Sequence, residues 1–180
     1  MARRPDLFDA TVPERRRVLA AGAAACGAAL LAGCGFQLRK APEFAFKTIL
    51  LAMPTTSALA IELRRQLEGT GRLKVLTDAT QAAQADVVLE STGEVRDRVV
   101  VSITGTGEVR EVQLRIRFRF RLRTPDGREL LPSTEIMRQI DQSYSESAAL
   151  SKEQEALMLY QNMQSDVVQQ VLRRLATVKT

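Results

Sequence analysis

The sequence predicts an α+β domain in which two helices pack on one face of a mixed β-sheet, in the order β-α-β-β-β-β-α. Three observations carry this prediction. A strand–helix–strand unit opens the folded part, three long β-rich segments follow it, and an amphipathic helix comes last. The other face of the sheet is left for solvent or for a partner.

The first unit covers residues 46–77. A short apolar run at 46–53 is followed by Pro54, which predicts a buried strand. Ser57 is predicted to cap a helix over 58–68, and 73–77 forms the second strand, parallel to the first. The apolar stripe of the helix consists of Leu59, Leu63 and Leu67, with Ile61 off it.

Three long segments at 86–104, 108–124 and 128–144 have period-two or β-rich sequence. The separators, 105–107 and 125–127, carry Gly and Pro and predict turns. These segments therefore form an antiparallel meander, which a loop at 77–85 connects to the first unit.

The last predicted element is a helix over 147–178, with Ser151 and Gln154 as its capping box. Its predicted apolar stripe is Leu157, Tyr160, Val167, Val168, Val171, Leu172 and Leu175, with Met163 near the edge.

The N-terminus is typical of an export signal. Basic residues, among them 15–17, precede an apolar run at 18–31, which is shorter than the roughly 20 residues that a membrane-spanning helix needs. A buried N-terminal helix is the alternative, but the glycines in the run disfavour it. The run ends L-A-G-C, which resembles the lipobox of bacterial lipoproteins. We therefore expect residues 1–33 to be a cleaved signal peptide and 34–180 to be one domain, anchored by acyl chains such as palmitate on Cys34. The general secretory and twin-arginine export routes both stay open.

Composition argues against several classes of function. The 180 residues contain no His and two Cys, of which Cys26 lies in the expected signal peptide. A tetrahedral zinc site and a His-based catalytic triad are therefore disfavoured. No enzyme motif is present, and we expect no catalytic residue, no metal and no cofactor. The formal net charge of +5 permits an anionic partner.

The strand at 108–124 contains an alternating row of arginines. From 114 to 123 its even positions are apolar and its odd positions are all Arg. Strand geometry therefore predicts a core face and an open face, with five arginines about 6.8 Å apart along the open one. The core residues are Leu114, Ile116, Phe118, Phe120 and Leu122, and the row is Arg115, Arg117, Arg119, Arg121 and Arg123.

The alternation of odd and even positions in the neighbouring strands predicts which side chains flank this row. In the preceding strand the predicted core residues are Val87, Leu89, Val95, Val99, Val101 and Ile103. Its predicted open-face residues are Glu90, Thr92, Glu94, Arg96 and Arg98. Pairing of 103 with 108 places Glu90 opposite Arg121 and Glu94 opposite Arg117. On the other side, pairing of 124 with 128 places Glu129 opposite Arg123 and Glu135 opposite Arg117.

Two interpretations of this face stay open. Cross-strand carboxylates largely neutralise the arginines in the first. In the second, arginines that lack an acidic neighbour bind a polyanion. This register assigns the second role to Arg96, Arg98, Arg115 and Arg119.

Residues 34–39, C-G-F-Q-L-R, resemble the opening of mature members of the lipopolysaccharide-assembly lipoprotein family LptE, C-G-F-x-L-R-G, with Lys40 in place of the Gly. The resemblance implies a lipoprotein on the periplasmic side of the outer membrane. Gly35, where Asp would favour the inner membrane, agrees with this location.

The resemblance also implies two partners. The protein would plug the β-barrel LptD and help to assemble lipopolysaccharide into the outer leaflet. Arg96, Arg98, Arg115 and Arg119 would then meet the phosphorylated part of lipopolysaccharide. The alternative is a structural outer-membrane lipoprotein that binds no glycolipid. Nucleic-acid binding is not expected for an exported lipoprotein.

Overall fold

A five-stranded mixed sheet organises residues 42–179, the part of the chain that the computed structural model describes. The strands are β1 (Thr48–Ala52), β2 (Lys74–Leu76), β3 (Val87–Ile103), β4 (Val109–Arg123) and β5 (Glu129–Ser143). Their spatial order is β2-β1-β3-β4-β5, with β1 parallel to both of its neighbours and the other pairs antiparallel. The predicted fold class and element order are confirmed. Residues 1–33 and Cys34 lie outside the described residues.

The first helix, α1 (Ala58–Gly69), forms as its sequence predicts. The Ser57 Oγ accepts a hydrogen bond from the Ala60 amide at 3.1 Å, which is an N-cap contact. Leu59, Leu63 and Leu67 are each at most 1% exposed, whereas Ile61 is 49% exposed. The four-residue spacing of the leucines therefore defines the buried face of α1.

The second helix, α2 (Ala149–Ala176), departs from its predicted start and stripe. Ser151 lies inside the first turn and donates to the Ala148 carbonyl at 2.8 Å, so the predicted capping box is wrong. Leu157 is 61% exposed and Met163 only 1% exposed, the reverse of their predicted ranks. The N-terminal half of α2 lies beside polar side chains of β3, so Leu157 has no apolar face to cover it.

The core lies between the helices and the sheet. Val167, Val171 and Leu175 of α2 pack in one cluster with the even-numbered side chains of β4. A second, smaller cluster lies on the opposite face, where Leu50 and Val88 pack beside a 3-10 helix, Ala79–Gln84, in the segment predicted as a loop. This helix covers one corner of the second face, and the distal parts of β3, β4 and β5 stay open.

One irregularity in β3 decides which side chains reach the open face. The pairing of β3 with β4 shifts between Ser91 and Gly93, so that Thr92 is an extra residue. Such a bulge exchanges the two faces of the strand, here from Gly93 to Val100, where the pairing shifts again. Val87 and Leu89, before the bulge, are buried as predicted, whereas Val95, beyond it, is 43% exposed and pairs in register with Arg117 of the open face. The predicted core face of β3 is therefore wrong between the two shifts, for Val95 and Val99.

Candidate functional site: the arginine row on the open sheet face

The alternation of β4 is confirmed. All five predicted core side chains, Leu114, Ile116, Phe118, Phe120 and Leu122, are at most 2% exposed. The intervening arginines consequently project from the opposite side of the strand. They form the arginine row, defined here as Arg115, Arg117, Arg119, Arg121 and Arg123.

One carboxylate holds the end of the row nearest the β4–β5 turn. Glu90 contacts Arg121 and Arg123, each at 2.6 Å, and its pairing with Arg121 is the predicted one. Partial burial raises the pKa of Glu90, but the hydrogen bonds and charges of Arg123 and Arg121 outweigh it and hold the pKa below the ordinary 4.5. These two arginines therefore share one carboxylate that stays ionised at neutral pH, and the group of three keeps one net positive charge.

Arg119 also has an acidic partner. Its Nη2 lies 2.6 Å from Glu135 of β5. Glu129 pairs in register with Arg123 as predicted, but the β4–β5 register then shifts on both sides of Leu122. Glu135 is consequently opposite Arg119 and not opposite Arg117, as predicted. The premise that Arg119 lacks a carboxylate is therefore wrong.

At the end of the row farthest from the β4–β5 turn, the arginines have fewer ion-pair and hydrogen-bond partners. Arg117 Nη2 lies 3.6 Å from Asp97 Oδ2, and the Arg117 Nε and Asp97 Oδ1 are buried without a hydrogen-bond partner. Arg115 donates to the side chain of Gln113 at 2.7 Å, and Gln113 in turn donates to Asp141 at 2.7 Å. Within residues 42–179, Arg115 is thus the member of the row without an ion-pair partner.

The bulge at Thr92 removes Arg96 and Arg98 from this face. Arg96 pairs in register with Ile116 and Arg98 with Leu114, both core residues, so the two arginines lie on the helix face. The premise that they share the open face with Arg115 and Arg119 is wrong, because the extra residue inverts the parity of β3.

On the helix face, each of the two arginines lies against an aromatic ring, one in α2 and one in the connection between β5 and α2. The Arg96 guanidinium lies 4.8 Å from the ring centroid of Tyr160, and that of Arg98 lies 4.9 Å from the ring centroid of Tyr144. Arg98 also pairs with Glu153 of α2. Burial raises the pKa of Tyr160, and its protonated hydroxyl donates to the Asp97 carbonyl at 2.8 Å. Both arginines therefore help to hold the N-terminal half of α2 against β3.

The same inversion changes which acidic side chain of β3 lies on the open face. Glu94, predicted to face Arg117, pairs in register with Phe118 and accepts a hydrogen bond from Ser57 Oγ at 2.6 Å. Val95 lies opposite Arg117 instead, and Asp97, which lies opposite Arg115 in register, reaches Arg117 with its carboxylate. The signal for this change is Gly93, because a glycine inside a strand pattern often marks a bulge.

The described residues contain neither a candidate metal centre nor a membrane-spanning helix. Within 42–179, no group of three or more His, Cys, Asp or Glu side chains is placed to hold a metal ion. No helix in this part of the chain is both long and apolar enough to cross a membrane. The feature left for function is the open face with its arginine row.

The fold and this face define a class, the small α+β domains of bacterial lipoproteins. The chain resembles the solution structure of an uncharacterized lipoprotein B from Nitrosomonas europaea, with a TM-score of 0.67 and 29% identity, covering 79% of this chain and 90% of that one. The fold is also that of a rare lipoprotein B from Shewanella oneidensis, with a TM-score of 0.60 and 22% identity over 73% and 95% of the two chains.

The sequence comparisons are more specific. The family model LptE, described as lipopolysaccharide-assembly, matches residues 46–175. Lipopolysaccharide-assembly lipoproteins LptE of Yersinia pestis and Yersinia pseudotuberculosis are each 31% identical to this chain over 153 residues, covering 82% of it and 70% of the relative. The chain belongs to the LptE family, as the motif at 34–39 predicts, and is a lipopolysaccharide-assembly protein and not an enzyme.

Proposed function

We propose that the chain is an outer-membrane lipoprotein that plugs the LptD β-barrel and helps to assemble lipopolysaccharide into the outer leaflet. In this proposal residues 1–33 are removed as a signal peptide and Cys34 carries the acyl anchor on the periplasmic side. Family membership supports the role, and the L-A-G-C sequence supports the anchor. The open sheet face is the part of the domain that meets the ligand and the barrel.

The character of the surface supports a large partner. Several apolar side chains are exposed in the half of the domain away from the β4–β5 turn, among them Ile103 at 62%, Leu150 at 77% and Leu157 at 61%. The interior of an outer-membrane barrel is polar, which suits a sheet face of paired charges. A barrel that encloses the domain would contact both kinds of surface.

The observation that carries the glycolipid role is the row of five arginines on one open face, in which Arg115 has no carboxylate partner within 42–179. Guanidinium groups bind phosphate bidentately. Arg115 offers this contact without first losing an ion pair, and Arg119, 54% exposed, can exchange Glu135 for phosphate. Because Arg96 and Arg98 lie on the helix face, the proposed phosphate site does not include them, and their predicted binding of lipopolysaccharide stays untested. From the opposite face they cannot share a phosphate with Arg115.

Photo-crosslinking in cells tests this function with two matched positions. Met137 on the open face and Met158 on α2 have similar exposed fractions, 51% and 59%, but lie on opposite sides of the sheet. We expect a crosslinking amino acid at 137 to capture lipopolysaccharide, one at 158 not to capture it, and at least one of the two to capture a barrel protein.

The remaining outcomes separate the alternatives. Barrel adducts without any lipopolysaccharide adduct would favour a structural lipoprotein that binds no glycolipid. Absence of both kinds of adduct, with the variants folded and membrane-bound, would overturn the proposed function.

A further inference from the structure

The sheet has a free edge along the second part of β3. The pairing of β1 with β3 ends where Ala52 lies opposite Glu90, and β1 is soon followed by Pro54, which has no amide hydrogen to donate. Within residues 42–179, β4 is the sole strand that pairs with residues 91–103 of β3. One side of this segment is therefore without a neighbouring strand.

The hydrogen bonds of β4 identify the unpaired backbone groups of this edge. The Tyr144 amide donates to the Arg110 carbonyl at 2.8 Å, so Arg110 directs its backbone groups towards β5. Because these directions alternate along a strand, the odd-numbered residues of β4 bond to β3, and the odd-numbered residues within 95–99 of β3 bond to β4. The even-numbered residues direct their amides and carbonyls away from β4, and within 42–179 these groups have no partner. They are Arg96, Arg98 and Val100, all exposed.

The segment lacks the features that usually protect a sheet edge. Natural edges are commonly blocked by a proline, a bulge or a charged side chain. Residues 93–100 contain no proline and no register shift. Their charged side chains contact other groups of the domain, in the pairs Asp97–Arg117, Arg96–Tyr160 and Arg98–Glu153. The edge is therefore open to the addition of a strand from outside the domain.

The helix layer ends at the same place as β1. The Gln164 side chain of α2 donates to the carbonyl of Ala58, the first residue of α1, at 3.2 Å. The two helices then run side by side, as the hydrogen bond from Gln169 to Gln66 shows. Residues 149–163 of α2 consequently extend past the start of α1.

An apolar side chain of this extension lies beside the free edge. Glu153 pairs with Arg98, and Tyr160 donates to the Asp97 carbonyl. Leu157 is one turn from each of these two residues of α2, on the same side of the helix, and is 61% exposed. The surface beside the free edge thus combines unpaired backbone groups of β3 with an apolar side chain of α2.

We infer that an extended segment of the barrel partner adds to this edge as a further strand, in the position that β1 takes beside the first part of β3. A strand supplies the amides and carbonyls that the edge lacks, and its apolar side chains cover Leu157. The strands of a closed barrel are already paired with one another, so the segment comes from a loop. This inference rests on the proposed function and assigns one contact surface of the plug.

A second copy of the chain fits the edge less well. Antiparallel self-pairing about Asp97 places Arg96 of each copy opposite Arg98 of the other, and like charges in opposite positions destabilise a strand pair.

Val100→Pro tests the backbone pairing, with Val100→Thr as the matched control. The amide of residue 100 points away from β4, so proline removes a donor for the partner but no hydrogen bond of the sheet. Threonine keeps both the amide and the β-branched shape. We expect the barrel that co-purifies with the full acylated chain from detergent-solubilised outer membrane to fall about tenfold with Val100→Pro and to be unchanged with Val100→Thr. Undiminished barrel on a Val100→Pro chain that keeps the wild-type thermal midpoint overturns the inference.

Photo-crosslinking gives a second result that does not depend on the folding of the proline variant. Val95 and Val99 lie on one face of β3, four residues or about 13–14 Å apart. We expect crosslinking amino acids at these two positions to capture residues about four apart in one loop of the barrel.

The other crosslinking outcomes separate this inference from the proposed function. The added strand is overturned, and the proposed function stands, if adducts fall in unrelated segments of the barrel or if position 158 captures the barrel while 95 and 99 do not. Adducts at 95 and 99 between two copies of the chain also overturn it. If none of positions 95, 99, 137 and 158 captures a barrel, the proposed function fails and the inference with it.

Discussion

Cys34→Ala is expected to abolish lipidation and to leave an uncleaved precursor that no longer attaches stably through acyl chains. The thiol is the group that would accept the lipid, and each buried methylene contributes about 0.8 kcal/mol to membrane binding. Because one chain binds only marginally and two or more give stable anchoring, the loss of all chains should change membrane attachment completely. Incorporation of labelled palmitate, together with fractionation of membranes, measures the effect.

Cys26 supplies a matched control for this experiment. It is the other cysteine of the sequence and lies in the segment expected to be removed. Cys26→Ala should therefore be labelled like the wild type. Equal palmitate incorporation into wild type and Cys34→Ala would contradict the anchor assignment.

Phe118→Ala is expected to cost about 3–5 kcal/mol in the free energy of unfolding, a large part of the roughly 5–15 kcal/mol typical of a domain. Phe118 is fully buried, and its ring lies 5.4 Å from that of Phe120 between centroids. Truncation leaves a cavity between the sheet and the helices. Denaturant unfolding of the chain measures the loss.

The neighbouring residue provides the control on the same strand. Arg119 projects to the open face, and its ion pair with Glu135 is 54% and 39% exposed on the two sides. Arg119→Ala should cost at most about 1 kcal/mol, as exposed ion pairs do. Similar losses from both substitutions would contradict the assignment of faces along β4.

Local patterns predicted the regular parts of the fold. The two faces of β4 could be predicted without knowing its neighbouring strands, because successive side chains of a regular strand point to opposite sides. The N-cap at Ser57 and the leucine stripe of α1 are likewise set by residues within one helix. These elements form in the structure as the sequence predicts.

Relations between strands were predicted less well, because one extra residue reverses a face. The bulge at Thr92 moved Arg96 and Arg98 to the helix face and brought Asp97 to Arg117. Gly93 was the available signal, but a glycine in a strand does not by itself say whether a bulge forms there. The second shift, around Leu122, moved Glu135 by two positions along the row.

The burial of α2 depended on the same bulge. Amphipathic spacing placed Leu157 in the apolar stripe, yet half of this helix packs over Arg96 and Arg98 and not over valines. A helix pattern does not report which side chains its partner strand presents. The family, in contrast, was predicted from the motif at 34–39, which depends on no register.

The affinity of the Arg115→Gln and Arg96→Gln variants for lipopolysaccharide tests the central claim. This claim is that the arginine row on the open face, and not the helix face, contacts the phosphates. A hydrogen bond to a charged group contributes about 1.5–3 kcal/mol, so Arg115→Gln should weaken binding at least about tenfold and reduce its salt dependence. Arg96→Gln, on the opposite face, should leave the affinity unchanged. Equal loss from both substitutions, or a loss from Arg96→Gln alone, would contradict the account.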